Sequence, residues 1–247
     1  MIKFFRNIRK NLLSEGKTNK YLKYAIGEIA LVVIGILIAL QINNWNQNRL
    51  QKAQLNSILK SVKEDLITDT TVVAQVIKFY DTINKYSNKV ITKEFNADSL
   101  KNCSICTSLV TIYQPMTIQE KGFQQLKNFT DYNNVKRDTL ITNVTQFYTI
   151  FDDLITNNNE MVKKEIIENL DHFKKQDWFI NWIQGIRDPR VSEYFGNSRD
   201  YKNRVAAHNI LAAQNHQRIL RLYKTQATAL LDELSNRLNE DGDEIPE

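Results

Sequence analysis

Hydrophobic positions along this chain change from one continuous run to a helical periodicity, without the sustained alternation of period two that marks strands. The continuous run covers residues 24–42, in which Glu28 is the only charged residue. Its 19 residues make a helix roughly 28 Å long, close to the thickness of about 30 Å of a bilayer core. The pattern therefore predicts one transmembrane helix over residues 24–42.

Two other interpretations of this run are open. A cleaved signal peptide also begins with basic residues, but its basic region is shorter, and no A-x-A-like site follows the run here. A buried core helix would fit the part without any polar residue, Ile29–Leu40, which is only 12 residues long. The run as a whole offers no polar face to water, which favours the membrane.

After the apolar run, hydrophobic residues recur at alternating steps of four and three, which is the seam of a bundle helix or coiled coil. Neither Gly nor Pro occurs between Gly35 and Pro115, so the transmembrane helix is expected to continue as a long stalk helix. Asp69 and Ser87 interrupt the seam, and the stretch from Asp69 to Thr71 is the predicted place of a kink or break. The seam consists of Leu55, Leu59, Val62, Leu66, Val73, Val76, Tyr80, Ile83 and Val90.

Local signals predict further helices downstream. Thr117 and Glu120 have the spacing of a capping box, in which each residue satisfies a backbone N–H of the other. Asp138 is a candidate N-cap for the next helix, which the asparagine run 157–159 is expected to interrupt. The last long helix is predicted to follow Pro189.

The predicted fold is therefore all-α. A transmembrane helix continues into a stalk helix, and residues 43–239 form an antiparallel helical bundle with four helices. The acidic residues 240–247 are predicted to be a disordered tail. About 200 residues after the anchor are enough for one domain with a real core.

Residues 1–23 are predicted to form a second, cytoplasmic membrane element. Their apolar side chains recur at helical spacing and most basic side chains fall on the other face, as in a helix that lies in the headgroup plane. A disordered basic tail is the alternative. The predicted membrane-surface residues are Phe4, Phe5, Arg6, Ile8, Arg9 and Lys10.

Charge is distributed unevenly along the chain. Residues 1–23 hold seven basic residues and one acidic residue, whereas the 18 residues 43–60 hold three basic residues. The positive-inside rule therefore keeps the N-terminus in the cytoplasm and exports residues 43–247. The net charge of +5 belongs to the N-terminal part, so the exported domain is neutral and nucleic-acid binding is not expected.

Glu28 is a candidate functional residue, because acidic side chains inside a membrane span usually have a role. It lies only about 7 Å along the helix from Lys23, so a snorkelling or protonated carboxylate is one interpretation. Contact with a partner helix is a second, and proton or ion translocation is a third. Gly35 and Ala39 form a small-xxx-small pair that lets a partner helix approach closely.

The segment from Leu12 to Arg49, with its SEGKT, YAIGE and LQINNWN elements, closely resembles a family of Bacteroidota membrane proteins, domain of unknown function 6090. Tyr113, Pro115 and the stretch 123–126 are weakly similar to the family as well. The resemblance implies a one-pass anchor, a helical exported domain and a Bacteroidota source. It implies no activity, and no catalytic residue carries over.

Cys103 and Cys106 are the two cysteines of the chain. In an oxidising periplasm, a structural disulfide that closes a short loop is the leading interpretation. A redox-active pair is an alternative, although such a pair normally lies between a strand and a helix. A metal site would need further ligands at suitable spacing, and the sequence offers none nearby.

No catalytic motif is present in the sequence. His172, His208 and His216 do not match a metal-binding or catalytic spacing and are expected to be surface or packing residues. Trp178 and Trp182 lie one helical turn apart, which indicates either packing or a ligand platform. We therefore predict no catalytic residue, no metal and no cofactor, and we do not expect an enzyme.

These features predict an inner-membrane protein with a periplasmic helical domain that binds a partner protein or senses a ligand. It is expected to cross the membrane once with its N-terminus inside, and any small-molecule ligand is unidentified. Two other functions stay open: a thiol–disulfide redox helper built on the cysteine pair, and a structural homo-oligomer of the cell envelope.

Overall fold

The computed structural model describes residues 18–129, 135 and 137–243. The predicted amphipathic segment, with its six membrane-surface residues, lies outside the described residues, as do the last four residues of the predicted tail. Both therefore stay predictions.

Every regular element among the described residues is helical, which confirms the all-α prediction. The α-helices are α1 (Thr18–Val90), α2 (Lys121–Lys127), α3 (Thr139–Phe173), α4 (Phe179–Gln184), α5 (Pro189–Asn197), α6 (Arg199–His208) and α7 (Gln217–Asp243). Two short 3-10 helices cover Ser99–Asn102 and Ser104–Thr107. A π-helical segment, Asn209–His216, lies between α6 and α7.

The chain divides into two compact units, Met1–Leu55 and Asn56–Glu247. The described part of the first unit is helical throughout. Its large apolar side chains from Ile29 to Leu50 are strongly exposed, from 46% at Val33 to 68% at Leu31. Among the described helices, α1 is the one that is long and apolar enough to cross a membrane, and none of its most apolar window is buried.

The hydrophobic seam of α1 is buried as predicted, since all nine seam residues are at most 7% exposed. The predicted break at Asp69–Thr71 is wrong, because α1 continues unbroken to Val90; a kink at this place stays a prediction. Asp69 is itself only 1% exposed, and the hydroxyls of Thr70 and Thr71 donate hydrogen bonds of 3.0 Å to the Ile67 carbonyl. Both threonines thus satisfy their hydroxyls within the helix rather than competing with it.

The second unit contains three long helical elements: the C-terminal part of α1, α3, and the run from α6 through the π segment to α7. A non-helical strap, residues 108–120, connects the second 3-10 helix to α2 and is bonded to both α1 and α3. The Tyr80 hydroxyl donates to the Gln114 carbonyl at 3.1 Å. The Asn159 amide donates to the Met116 carbonyl at 2.6 Å and accepts from its N–H at 3.3 Å.

The asparagine run 157–159 does not interrupt α3, contrary to prediction. Asn158 donates to the Leu154 carbonyl at 2.7 Å within the helix, and Asn159 uses both ends of its amide to hold the strap. The predicted N-cap Asp138 is confirmed, because its carboxylate accepts from the Leu140 N–H at 2.9 Å. At the other end of the unit, α7 continues to Asp243, so residues 240–243 of the predicted disordered tail are helical.

The predicted capping box at Thr117 and Glu120 is wrong. Helix α2 begins at Lys121 without a side-chain cap from Glu120. A carboxylate of α1 takes over that role, since Asp65 accepts from the Gly122 N–H at 2.6 Å. Asp69, one turn further along α1, accepts from the Gln119 N–H of the strap at 3.0 Å. A carboxylate at a helix N-terminus is favourable because it satisfies free N–H groups and the helix dipole.

Candidate interaction surface

An aromatic cluster closes the end of the second unit at which α3 finishes. Its rings meet mostly edge to face, with centroids 4.7 Å apart for Phe195 and Tyr201 and 5.5 Å apart for Phe173 and Phe195. Such contacts add stability beyond the burial of area. The aromatic cluster consists of Phe173, Trp178, Trp182, Tyr194, Phe195 and Tyr201.

Trp178 is only 5% exposed and packs on Phe195 with the ring centroids 5.2 Å apart. Trp182 is partly exposed and meets the same phenylalanine at 5.4 Å. Both tryptophans therefore serve packing, and Trp182 also reaches the surface.

The loop from α4 to α5 is held by Asp188. Its carboxylate accepts from the Asn181 amide at 2.8 Å, from the Arg190 guanidinium at 2.7 Å and from the Arg190 N–H at 2.8 Å. These bonds hold the pKa of the Asp188 carboxyl well below its usual range. Gly185 turns the chain with a φ of 65°, a conformation that favours glycine. The loop is thus fixed from both sides.

Three isoleucines project from this fixed loop and the helix before it. Ile180 is 66% exposed, Ile183 61% and Ile186 50%. We call these three residues the isoleucine patch. The segment Phe179–Ile186 contains no charged residue, and Arg187 follows it. Single exposed apolar residues are common on protein surfaces, whereas a group of them close together is a candidate for an interaction site.

A groove borders the isoleucine patch. It encloses about 390 Å³ and is lined by Thr107, Ser108, Trp182, Ile183, Gly185, Ile186 and Val191. The groove is open, and its lining combines the apolar side chains of Trp182, Ile183, Ile186 and Val191 with polar groups, including the hydroxyls of Thr107 and Ser108.

A disulfide between Cys103 and Cys106 lies next to the groove in the chain. Cys103 is 4% exposed and Cys106 is fully buried. The Tyr201 hydroxyl donates a hydrogen bond to the Cys106 carbonyl, which ties the loop to the aromatic cluster. Exchange needs an accessible sulfur, so burial of the pair favours the structural interpretation over the redox one.

The predicted intramembrane contact residues all lie on α1 in the first unit. Glu28 is half-buried, whereas Gly35 and Ala39 are exposed. A Cβ built on Gly35 would meet no atom within 4 Å. The small-xxx-small face is therefore open along α1, and the contact with a partner helix stays a prediction.

The three histidines have different environments. His172 is partly exposed, with Nε2 3.2 Å from an Asp200 carboxylate oxygen. His208 and His216 are completely buried, and burial lowers the pKa of each to about 4. The described residues contain no group of three or more His, Cys, Asp or Glu side chains that could hold a metal ion.

The sequence reasoning missed the residues that organise the surface, above all Asp188 with Asn181 and Arg190. A signal was present: Asp188 before Pro189 is a helix start, with an N-cap residue ahead of proline at the first helical position. The role of Asp69 was missed as well. It was predicted only to interrupt the seam, but it is a buried acceptor for the Gln119 N–H and the Tyr223 hydroxyl.

Comparison with known proteins gives one match. A family model described as "Family of unknown function (DUF6090)" matches residues 28–171, which is more than half of the chain. The matched range covers most of α1, the strap, α2 and nearly all of α3, and it ends before α4. Neither a curated protein nor a solved structure matches the chain.

Proposed function

The chain belongs to the DUF6090 family of unknown function, and on that premise we propose that it is a membrane-anchored binding protein without catalytic activity. Its first unit anchors it in the bacterial inner membrane. Its helical domain lies in the periplasm and recognises a partner protein at the isoleucine patch.

The anchor rests on the exposure and charge of the N-terminal part. A soluble protein does not leave a long helix of Ile, Leu and Val in water, because each buried side chain of this size is worth roughly 1.5–3 kcal/mol. The exposed apolar stretch of α1 thus calls for lipid around it. The excess of basic residues before residue 24 supports an N-terminus on the cytoplasmic side.

The isoleucine patch is the observation that carries the binding function. Its three side chains are 50–66% exposed on a segment without charge, and Asp188 holds that segment rigid. A preformed apolar surface loses little conformational entropy on binding. An exposed apolar surface of this kind favours association with a partner protein.

The chemistry around the patch defines the partner. The nearest exposed cations along the chain are Lys175, Arg187 and Arg190, and the acid between the two arginines, Asp188, is already bonded to Arg190. The complementary partner is a protein segment with apolar side chains for the patch and groove and with acidic residues facing Arg187.

Replacing Ile183 by aspartate is expected to reduce partner binding at least ten-fold, because a charge would be buried without a counterion. The measurement is photo-crosslinking in native membranes, with a photoreactive phenylalanine analogue at position 186 and identification of the adducts by mass spectrometry. Ile67→Asp is the matched control, because Ile67 is also about half exposed (49%) but lies on α1. The Ile67→Asp variant should give the same adducts, in the same yield, as the unmodified protein.

Three outcomes separate the possibilities. Adducts to one other protein that disappear in Ile183→Asp and weaken in Arg187→Glu support the proposal. Adducts to a second copy of this chain would support a homo-oligomer instead. The absence of protein adducts, or adducts unchanged by Ile183→Asp, would overturn the assignment of the patch.

A second contact is proposed inside the membrane, at Gly35 and Ala39 with Glu28 beside them. Gly35→Ile is expected to weaken association of the solubilised complex about ten-fold, since close helix packing in membranes is worth roughly 1–2 kcal/mol. The chain itself should fold unchanged, because a Cβ at Gly35 would meet no atom within 4 Å. Native mass spectrometry of the complex in mild detergent measures the effect.

Gly27→Ile is the control for this change, since Gly27 is equally open and lies outside the small-residue pair. Equal complex formation by all three proteins would contradict a contact at Gly35.

A further inference from the structure

The π segment, Asn209–His216, interrupts the third long helix of the bundle. Longer π-helical stretches are rare, and where they occur they frequently mark functional sites. This one is flanked by regular helix on both sides, with His208 as the residue before it and His216 as its last residue. Both boundary residues are therefore ionisable.

The side chains at this segment form a buried polar group with unmet hydrogen-bonding capacity. Neither ring nitrogen of His208 or of His216 has a hydrogen-bond partner within the described part of the chain. The same holds for the Ser87 hydroxyl and the Asn209 amide oxygen. Buried polar groups are nearly always bonded, so four such residues in and around one segment call for an explanation.

No charged side chain of the neighbouring elements forms an ion pair with either histidine among the described residues. From α1, the Tyr80 ring meets the His216 ring edge-on at 5.3 Å, and Asp81 is bonded to Gln217 at 2.8 Å and to Arg221 at 2.7 Å.

From α3, Glu165 accepts from the Asn169 amide at 3.3 Å. Arg204 of α6 donates to the Asn169 oxygen at 3.0 Å and pairs with Asp200 at 2.9 Å. Each of these charged groups thus has a bonded partner other than a histidine, and burial is what lowers the pKa of both histidines to about 4.

We propose that the π segment is an acid-responsive joint, in which protonation of His208 and His216 expels both rings from the core and repacks residues 209–216 against α1. A charged imidazolium cannot stay in an apolar site without a counterion. Acid therefore favours any arrangement that brings the rings to water. The joint goes beyond the proposed binding function and does not depend on it.

The response is local because acid has the opposite effect on the stability of the neighbouring buried polar pair, Asp69 and Tyr223. Asp69 is buried, accepts from the Tyr223 hydroxyl at 2.7 Å, and has a pKa raised by burial to about 6. Its folded form binds a proton more tightly than its unfolded form, so acid strengthens this pair as the pH falls through 6. The histidines bind protons less tightly when folded, so the π segment weakens as the pH falls from 6.5 toward 4.

Hydrogen exchange of the full chain in detergent, at pH 7.0 and pH 4.5 and corrected for intrinsic rates, tests this. Peptides covering residues 205–217 should lose protection at least ten-fold at pH 4.5, while peptides covering residues 62–70 change less than about three-fold. His208→Leu together with His216→Leu should abolish the loss. His172→Leu, at the partly exposed histidine, should leave it intact.

Loss of protection over the whole bundle, or a loss that survives in the double variant, would overturn the proposal. If the double variant does not fold, the ring-proton shifts of His208 and His216 decide the question in the unmodified protein. Midpoints near 4 for both rings, together with a structural transition, support the joint. Midpoints near 6.5, or midpoints near 4 without a transition, refute it.

Discussion

Replacing Gly122 by alanine is expected to destabilise the second unit by about 3 kcal/mol, the upper end of what overpacking a core costs. Gly122 lies at the start of α2, directly against the backbone of α1. A Cβ there would stand 2.6 Å from the Val62 Cα and 2.7 Å from the Ser61 carbonyl carbon. Main-chain atoms cannot rotate away, so α2 would have to withdraw and lose the hydrogen bond from Gly122 to Asp65.

The consequence is visible beyond α2. Phe123, the next residue, stacks on Tyr148 of α3 with the ring centroids 4.7 Å apart, so withdrawal of α2 also opens its contact with α3. Thermal unfolding of the full chain in detergent, followed by circular dichroism, should show a midpoint lower by roughly 6–12 °C.

Gly27→Ala is the matched control, since its Cβ would meet no atom within 4 Å. Alanine is the better helix former by up to about 1 kcal/mol, so this variant should be unchanged or slightly more stable. A Gly122→Ala variant within 1 kcal/mol of the unmodified protein would show that α2 does not pack as closely as described.

Local pattern was sufficient to predict α1 and the all-α class. The seam residues repeat every three or four positions, and their burial follows from geometry alone once the helix forms. The polar gaps in the seam were misread because their partners are distant in sequence. Asp69 bonds to Gln119, 50 residues away, and to Tyr223, 154 residues away, and no local rule indicates such pairs.

The strap escaped prediction for a related reason. Residues 108–120 have no helical period, and their backbone groups are satisfied one at a time by side chains of other elements, such as Tyr80 and Asn159. A polar run in mid-helix, like the asparagines of α3, looks like an interruption when read locally. Here it is the means by which a helix holds a non-helical neighbour.

For the candidate surface, the sequence indicated the types of side chain involved but not which of them are exposed. The spacing of Trp178 and Trp182 left packing and a ligand platform open, and the aromatic cluster agrees with packing. Which side chains stay outside depends on the turn at Gly185 and on the bonds of Asp188, and both are properties of the folded loop. The isoleucine patch follows from those two constraints rather than from hydrophobicity along the chain.

Replacing Asp69 tests the polar centre of the bundle and has the second large expected effect. Asp69→Leu should cost about 2–5 kcal/mol at pH 7, because the Tyr223 hydroxyl and the Gln119 N–H would both be buried without an acceptor. Asp69→Asn should cost less than about 1 kcal/mol or stabilise, since one amide oxygen can accept both bonds, as Oδ2 now does at 2.7 and 3.0 Å.

The pH dependence separates the charge of Asp69 from its hydrogen bonds. Burial raises the pKa of this carboxyl from 3.8 to about 6, so the folded state binds the proton more tightly than the unfolded state. Its contribution is therefore fully present below pH 4, declines as the pH rises through 6, and is lost above pH 7. By linkage the change amounts to about 3 kcal/mol.

Urea unfolding of the unmodified protein and of Asp69→Asn, at intervals from pH 4 to pH 8, measures this contribution as the difference between two curves. His208 and His216 act in the opposite direction over this range, but they are present in both proteins and cancel in the difference. Relative to the unmodified protein, the asparagine variant should gain stability between pH 4 and pH 6.5 and reach a plateau above pH 7. A difference that does not vary with pH would mean that Asp69 is hydrated and charged throughout, and the buried polar centre would have to be abandoned.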